Sequence, residues 1–226
     1  TDGFNDALDH VLSGQVVIFW DQWDRALCFP AIDTKTRAVN EPVNESVVQG
    51  PREGTVESMT VNLGLLRQRV KSTAFKVEKI TTGTDVKTKV AFVYLQDAVH
   101  PSILEEFRKR IAGIEQYEVM ETSVIEDWIE DSRFSPFPQY RYTERSDTAA
   151  AALLDGKILV LVDNTPMILI CPALFVEFFG TSEDYYVRTV YASLIRLLRM
   201  LAFFIALTLP SIYIALTTYQ PELIPS

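Results

Sequence analysis

The sequence predicts an α/β protein, with two small mixed-sheet subdomains covered by helices, followed by a C-terminal transmembrane helix. Three observations predict this. A helix-and-hairpin unit occurs twice, strand-like and helix-like segments alternate between the two copies, and a charge-free stretch stands near the end of the 226 residues. The expected parts are a first α/β part over 1–70, a second over 71–184, and a juxtamembrane segment with its membrane helix over 185–226.

The repeat comes first. The segment ALDHVLSGQVVIFWDQWDRALCFPA, Ala7 to Ala31, aligns without a gap on AAAALLDGKILVLVDNTPMILICPA, Ala149 to Ala173. Ala7, Leu12, Gly14, Asp21, Leu27, Pro30 and Ala31 match Ala149, Leu154, Gly156, Asp163, Leu169, Pro172 and Ala173. Each copy reads as a short helix closed by a Gly (Gly14, Gly156) able to take the left-handed C-cap conformation. An apolar run follows, suited to a strand buried on both faces. An Asp-led turn (Asp21, Asp163) then reverses the chain into a second apolar strand that stops at Pro. Gln15–Pro30 and Lys157–Pro172 should therefore form superposable two-stranded units, both covered on both faces.

Residues 32–54 are mostly polar, and Glu41-Pro42 and Gly50-Pro51 punctuate a loop. Thr55 is placed to cap a helix whose apolar residues Val56, Met59, Leu63, Leu66 and Val70 recur at spacings of three and four. Arg67 and Arg69 suit the negative end of its dipole. Phe75 and Val77 alternate with Lys76 and Glu78, as on a half-exposed strand, and Val90 to Leu95 is a continuous apolar run, as in a central strand. Pro101 opens a helix with Ile103, Leu104, Phe107 and Ile111 on one face. Tyr117 to Met120 reads as a short strand, and Ser123 with Glu126 as a capping box before Ile125, Trp128 and Ile129. This alternation implies a partly parallel sheet covered by helices.

Met200 to Pro221 (MLAFFIALTLPSIYIALTTYQP) holds no charged side chain. As a helix it would extend roughly 33 Å, enough for a bilayer core of about 30 Å. Arg188, Arg196 and Arg199 precede it, Glu222 follows it, and no Lys or Arg comes after. Positive charge marks the cytoplasmic side, so the large N-terminal part is expected in the cytoplasm. Pro210 lies mid-span. It removes one backbone hydrogen bond and crowds the Ala206 carbonyl, so a bend is expected there, with Thr208 and Ser211 the nearest hydroxyls to serve that carbonyl.

Bulk composition narrows the function. A net charge of −9 and a pI near 4.8 disfavour nucleic acid and anionic lipid as partners of the soluble part, and no nucleic-acid partner is expected. Cys28 and Cys171 sit in apolar runs, as small buried hydrophobes do. With only His10 and His100 present, a zinc or copper centre is not expected. The first residues carry no n-region followed by an h-region, so no signal peptide is expected, and the chain is expected to be a piece of a longer protein.

Candidate chemistry is sparse. Gly50-Pro51-Arg52-Glu53-Gly54 precedes a helix but lacks the Lys and Ser/Thr order of a phosphate-binding loop. Glu126, Asp127, Glu130 and Asp131 form an acidic helix face of the solvated kind. No nucleophile–base spacing stands out, so neither an enzyme nor a cofactor is expected.

Six segments carry a resemblance. EPVNESVVQGPREG (Glu41 to Gly54), SPFPQ (Ser135 to Gln139), TERSD (Thr143 to Asp147), ALLDGKILVLVDNTP (Ala152 to Pro166), EDYYVR (Glu183 to Arg188) and Leu194 to Pro225 closely resemble the spore germination receptor A-subunit (GerA) family. The match runs in order along nearly the whole chain. It departs at Ser146, where the family usually has Pro, and near Thr55, where it usually has an aromatic residue.

The resemblance implies the cytoplasmic N-terminal region and first membrane helix of an A subunit in the inner membrane of the spore. It implies a homo-oligomer that conducts monovalent cations, with a transporter-like B subunit, a C lipoprotein and membrane lipid as partners. A sporulation-stage paralogue of the A subunit shares these motifs. Arg52, Glu53, Glu144, Arg145, Arg196, Arg199 and Pro210 are the candidates for interface or gating roles. A reading from another class is a cytoplasmic small-molecule-binding module with a crevice as its site.

Overall fold

The computed structural model describes residues 7–8, 10–11, 15–21, 26–30, 45, 51, 53–132, 135, 137–181, 184 and 186–219. By its contacts the chain divides into two compact units, Thr1–Val47 with Pro51–Leu174, and Val48–Gly50 with Phe175–Ser226.

Among the described residues, the first unit holds two sheets. In one, β1 (Gln15–Ile18) pairs antiparallel with β2 (Leu27–Pro30). The other has five strands: β3 (Phe75–Thr82), β4 (Thr88–Leu95), β5 (Arg141–Thr143), β6 (Ile158–Val162) and β7 (Ile168–Cys171), in the order β3-β4-β6-β7-β5. Every recorded pairing is antiparallel, which corrects the expectation of a partly parallel sheet. Two things produce this. β3 and β4 join through a five-residue turn, 83–87, in which Gly83 and Lys87 take positive φ, so they form a hairpin. β5 and β6 do run in the same direction across a helical crossover, but β7 inserts between them.

Among the described residues, the helices that cover this sheet are α1 (Met59–Arg69), α2 (Pro101–Ile111), α3 (Thr122–Ile129) and α4 (Ser146–Leu154). The pleat sorts the core. Ala91, Val93 and Leu95 of β4, with Leu159 and Leu161 of β6, meet Leu63 and Leu66 of α1 and Ala149 and Leu153 of α4. Val90, Phe92, Val160 and Val162 point the other way, toward Phe107 and Ile111 of α2 and Ile125 and Ile129 of α3. Burying each such Val, Leu, Ile or Phe side chain contributes about 1.5–3 kcal/mol, so the apolar runs of β4 and β6 suit a sheet covered on both sides. Ile103, expected on the buried face of α2, lies at its edge, 36% exposed.

Local starts and stops differ from expectation where a partner from elsewhere in the chain wins. Thr55 does not cap α1, because its hydroxyl donates toward the carbonyls of Glu144 (3.0 Å) and Pro166. The helix begins at Met59, whose N–H donates to Asp163 Oδ1 at 3.2 Å. The Ser123–Glu126 capping box is absent, since α3 begins at Thr122 and Glu126 accepts a hydrogen bond from the Tyr142 hydroxyl. Tyr117–Met120 forms no strand. A 3₁₀ turn (Ile114–Gln116) precedes it, and Glu118 turns its carboxylate onto the 83–87 turn, accepting from the N–H groups of Thr84 (2.8 Å), Asp85 (3.0 Å) and Val86 (3.3 Å).

The repeat survives in pairing and fails in burial. Val16↔Phe29, Val17↔Cys28 and Ile18↔Leu27 in the first hairpin fall on Ile158↔Cys171, Leu159↔Ile170 and Val160↔Leu169 in the second. Helical residues precede both hairpins: Ala7, Leu8, His10 and Val11 before the first, α4 before the second. Gly156 takes φ +77° as expected, while Gly14 lies outside the described residues. All of β6 and β7 is buried, yet Val16, Ile18, Leu27 and Phe29 are exposed. The expectation that both copies are covered on both faces is therefore overturned for the first.

The second unit contains a 3₁₀ turn (Phe175–Phe179) and the long helix α5 (Thr189–Tyr219). The helix is long and apolar enough to cross a membrane, and Ala192 is its only buried residue.

Candidate functional site

The TERSD segment forms a knot at the start of α4. Arg145 is 1% exposed, and a buried guanidinium requires its donors to be satisfied. Its Nε and Nη2 donate to the two carboxylate oxygens of Asp147 at 3.0 and 2.7 Å, the paired geometry that suits a planar guanidinium. Nη2 also reaches the Pro51 carbonyl (2.9 Å) and Nη1 the Glu45 carbonyl (3.3 Å). The Thr143 hydroxyl donates to Glu45 Oε2 at 2.6 Å, and Gly54 makes a single antiparallel bridge with Arg145.

Beside it, Arg69 of α1 donates to the Ser146 hydroxyl (2.9 Å) and pairs with Glu53 at 2.6 Å. The Thr55 N–H donates to the Glu144 carbonyl at 2.7 Å. Of the sequence candidates, Glu53, Glu144 and Arg145 thus meet in one network that ties the polar loop to α4, and Arg52 lies outside the described residues. Asp147 and Arg69 belong to this network and were missed. The Asp two residues after Arg145 was the available signal, since it stands in the first turn of a helix.

A second cluster lies in the second unit. Asp184, with its side chain 6% exposed, faces Arg199 at 3.3 Å and Arg196 at 3.6 Å. It also accepts from the Thr181 N–H (3.0 Å) and hydroxyl (3.1 Å). Burial alone would raise the Asp184 pKa, but the Thr181 hydrogen bonds and the two arginine charges outweigh it and hold the carboxyl below its ordinary value. Arg199 also donates to the Phe179 carbonyl at 3.1 Å. The two arginine candidates therefore come together around a carboxylate that had not been singled out.

Pro210 sits inside α5, and the Thr208 hydroxyl donates to the Phe204 carbonyl at 2.8 Å rather than to that of Ala206. On the acidic face, Asp131 pairs with Arg110. Among the described residues, no group of three or more His, Cys, Asp or Glu is placed to hold a metal ion.

One cleft of about 250 Å³ opens beside α2. Ile103, Phe107, Ile158 and Cys171 give it an apolar wall, and Glu106, Arg110, Asp131 and Gln139 a polar one. The polar groups largely serve one another: Arg110 bonds Glu106 (2.9 Å), the Ile129 carbonyl (2.8 Å) and Asp131, while Gln139 accepts from the Asp131 N–H at 3.0 Å.

Comparison with known proteins places this geometry among relatives. A family model described as the Bacillus/Clostridium GerA spore germination protein matches residues 1–226. The "Uncharacterized membrane protein YfkQ" of Bacillus subtilis (strain 168) is 41% identical over 216 residues, covering 96% of this chain and 42% of that protein. "Spore germination protein KA" of the same organism is 39% identical over 216 residues, with 96% and 40% covered. "Spore germination protein GerLA" of Bacillus cereus is 37% identical over 223 residues, with 99% and 45% covered. The chain thus spans less than half the length of these curated relatives. Among solved structures, the N-terminal domain of the A subunit of the Bacillus megaterium spore germinant receptor GerK3 is 30% identical, with a TM-score of 0.55. That match covers 77% of this chain and 62% of the other.

Proposed function

The chain belongs to the GerA family of spore germination proteins, and from that premise we propose that it is the cytoplasmic N-terminal region and first membrane span of a germinant-receptor A subunit. The observation that carries the membrane part is α5: it turns its apolar side chains outward along its length and buries only Ala192, as a helix solvated by lipid would. The arginines at its start orient the larger unit toward the cytoplasm, which in a dormant spore is the core. In this reading the receptor sits in the spore's inner membrane, self-associates, and works with a transporter-like B subunit and a C lipoprotein. It passes monovalent cations when nutrient is sensed.

The soluble part is then an assembly and gating module with no catalytic step. The Arg145 knot fixes Pro51, Glu53 and Gly54 against the start of α4, and the Asp184–Arg196–Arg199 cluster fixes the start of the span. Pro210 is the candidate hinge. Spores with Pro210→Ala, at normal protein level, should release cations more slowly on germinant addition; an unchanged rate rejects the hinge. For topology, a cysteine at Ser132 should be shielded from an impermeant thiol reagent in intact cells, and one at Ser226 should react. The reverse pattern rejects the orientation.

The cleft beside α2 supports a second reading, in which the soluble part binds a small polar nutrient or regulator. Its apolar wall and converging Glu106, Arg110 and Gln139 favour a compact ligand with both donors and acceptors. A thermal-shift screen with amino acids and sugars separates the two readings, because a ligand of the folded state must raise the midpoint. A shift abolished by Arg110→Ala favours the second.

A further inference from the structure

We propose that the 3₁₀ turn Phe175–Phe179 is an interfacial anchor, lying in the membrane surface against the start of the span with lipid as its occupant. The inference rests on reading α5 as a membrane span. Its starting point is a set of ring contacts. Phe175 and Phe179 pack edge-on against Phe203 of α5, with centroids 6.0 and 5.4 Å apart, and against each other at 5.2 Å.

Phe203 lies inside the charge-free stretch, four residues beyond Arg199. A charged head at the edge of a span keeps to the headgroup level. Four helical residues then place Phe203 about 6 Å deeper. That depth falls in the zone of about 5–10 Å where interfacial helices bury their apolar faces. The rings packed on Phe203 share its level, so the turn that carries them enters the interface too.

Two further observations agree. Val176 and Phe178, between the packed rings, remain 53% and 38% exposed, and a bilayer at this level covers them. The turn is also pinned at its end. The Phe179 carbonyl accepts from Arg199, and Arg199 in turn holds Asp184, so the polar ties lie on the water side and the rings on the lipid side. Gly180 permits this close approach, since a Cβ there would lie 3.4 Å from Arg196 Nη2 and 3.3 Å from the Glu177 carbonyl oxygen.

The test is spin-label accessibility in the full-length protein, with native cysteines replaced by alanine, reconstituted in phosphatidylcholine–phosphatidylglycerol vesicles. Labels go on Val176→Cys and Phe178→Cys, with Ile205→Cys as the span reference and Ser132→Cys as the water reference. We expect the ratio of oxygen to nickel-chelate collisions at both turn sites to be several-fold above that at 132, and below that at 205. If 205 is lipid-immersed while both turn labels collide with nickel, or are shielded from both reagents by protein, the anchor is wrong and the span stands. If 205 itself collides with nickel, the membrane reading fails and the anchor with it.

Discussion

The two hairpins, β1–β2 and β6–β7, share register, direction and a preceding helix, yet one is sheathed and the other bears an exposed apolar face. The difference separates two kinds of information. Register follows from local sequence: the turn and the strand-ending Pro recur at the same spacing, so the same partners meet. Burial follows from neighbours, and among the described residues the second copy alone has strands, β4 and β5, at its edges and helices on both faces. The Arg145 knot is likewise private to the second copy, since Gly3 and Asn5 stand where Arg145 and Asp147 would align.

That contrast can be broken most severely at the knot. Arg145→Ala removes the guanidinium that pairs with Asp147 and donates to two carbonyls, and losing one partner of a buried ion pair costs about 3–5 kcal/mol. The denaturation midpoint of the solubilised protein should fall accordingly, and a surface-like change of under about 0.5 kcal/mol would remove the knot from the account.

The aligned leucines give the direct comparison. Leu169→Ala should cost about 3 kcal/mol, since the side chain is fully buried, whereas Leu27→Ala, at 44% exposure, should cost less than about 1. Equal losses would mean that the first hairpin is covered in solution as the second is.

The aligned glycines come next. Gly156→Ala places a Cβ 2.5 Å from the Ala98 carbonyl oxygen at positive φ, and should cost about 1–3 kcal/mol. Gly14→Ala at a similar cost, by the same measurement, would extend the repeat to its cap.

The smallest effect is on labelling. Burial pushes the Cys171 thiol up to about 12, while Cys28 is only half-buried. A maleimide at mildly alkaline pH should therefore modify Cys28 well before Cys171, as mass spectrometry of the folded protein would read.

What the sequence made legible follows the same division. The repeat, the central strand at Val90–Leu95, the helix at Pro101 and the apolar span are all periodic or local signals, and each was readable. Strand direction was not, because the insertion of β7 between β5 and β6 depends on contacts distant in sequence. Local elements were misplaced where a remote group competes: Asp163 accepts from the Met59 N–H where α1 begins, and Glu118 caps the 83–87 turn where a strand was expected. In the candidate site, Arg145 stood out as a charge in a matched segment. Asp147, two residues after Arg145 in the first turn of a helix, carried a usable signal, whereas Asp184 became evident only through its burial beside Arg196 and Arg199.

The strand order also fixes a timetable during synthesis. β5 leaves the ribosome before β6 and β7, but its sheet partner among the described residues is β7. Until residue 171 has emerged, the β5–β7 pairing cannot form and the cores on both faces stay open to solvent. The apolar helix α5 begins only 18 residues after β7 ends, so closure of the first unit and emergence of that helix are set to occur nearly together.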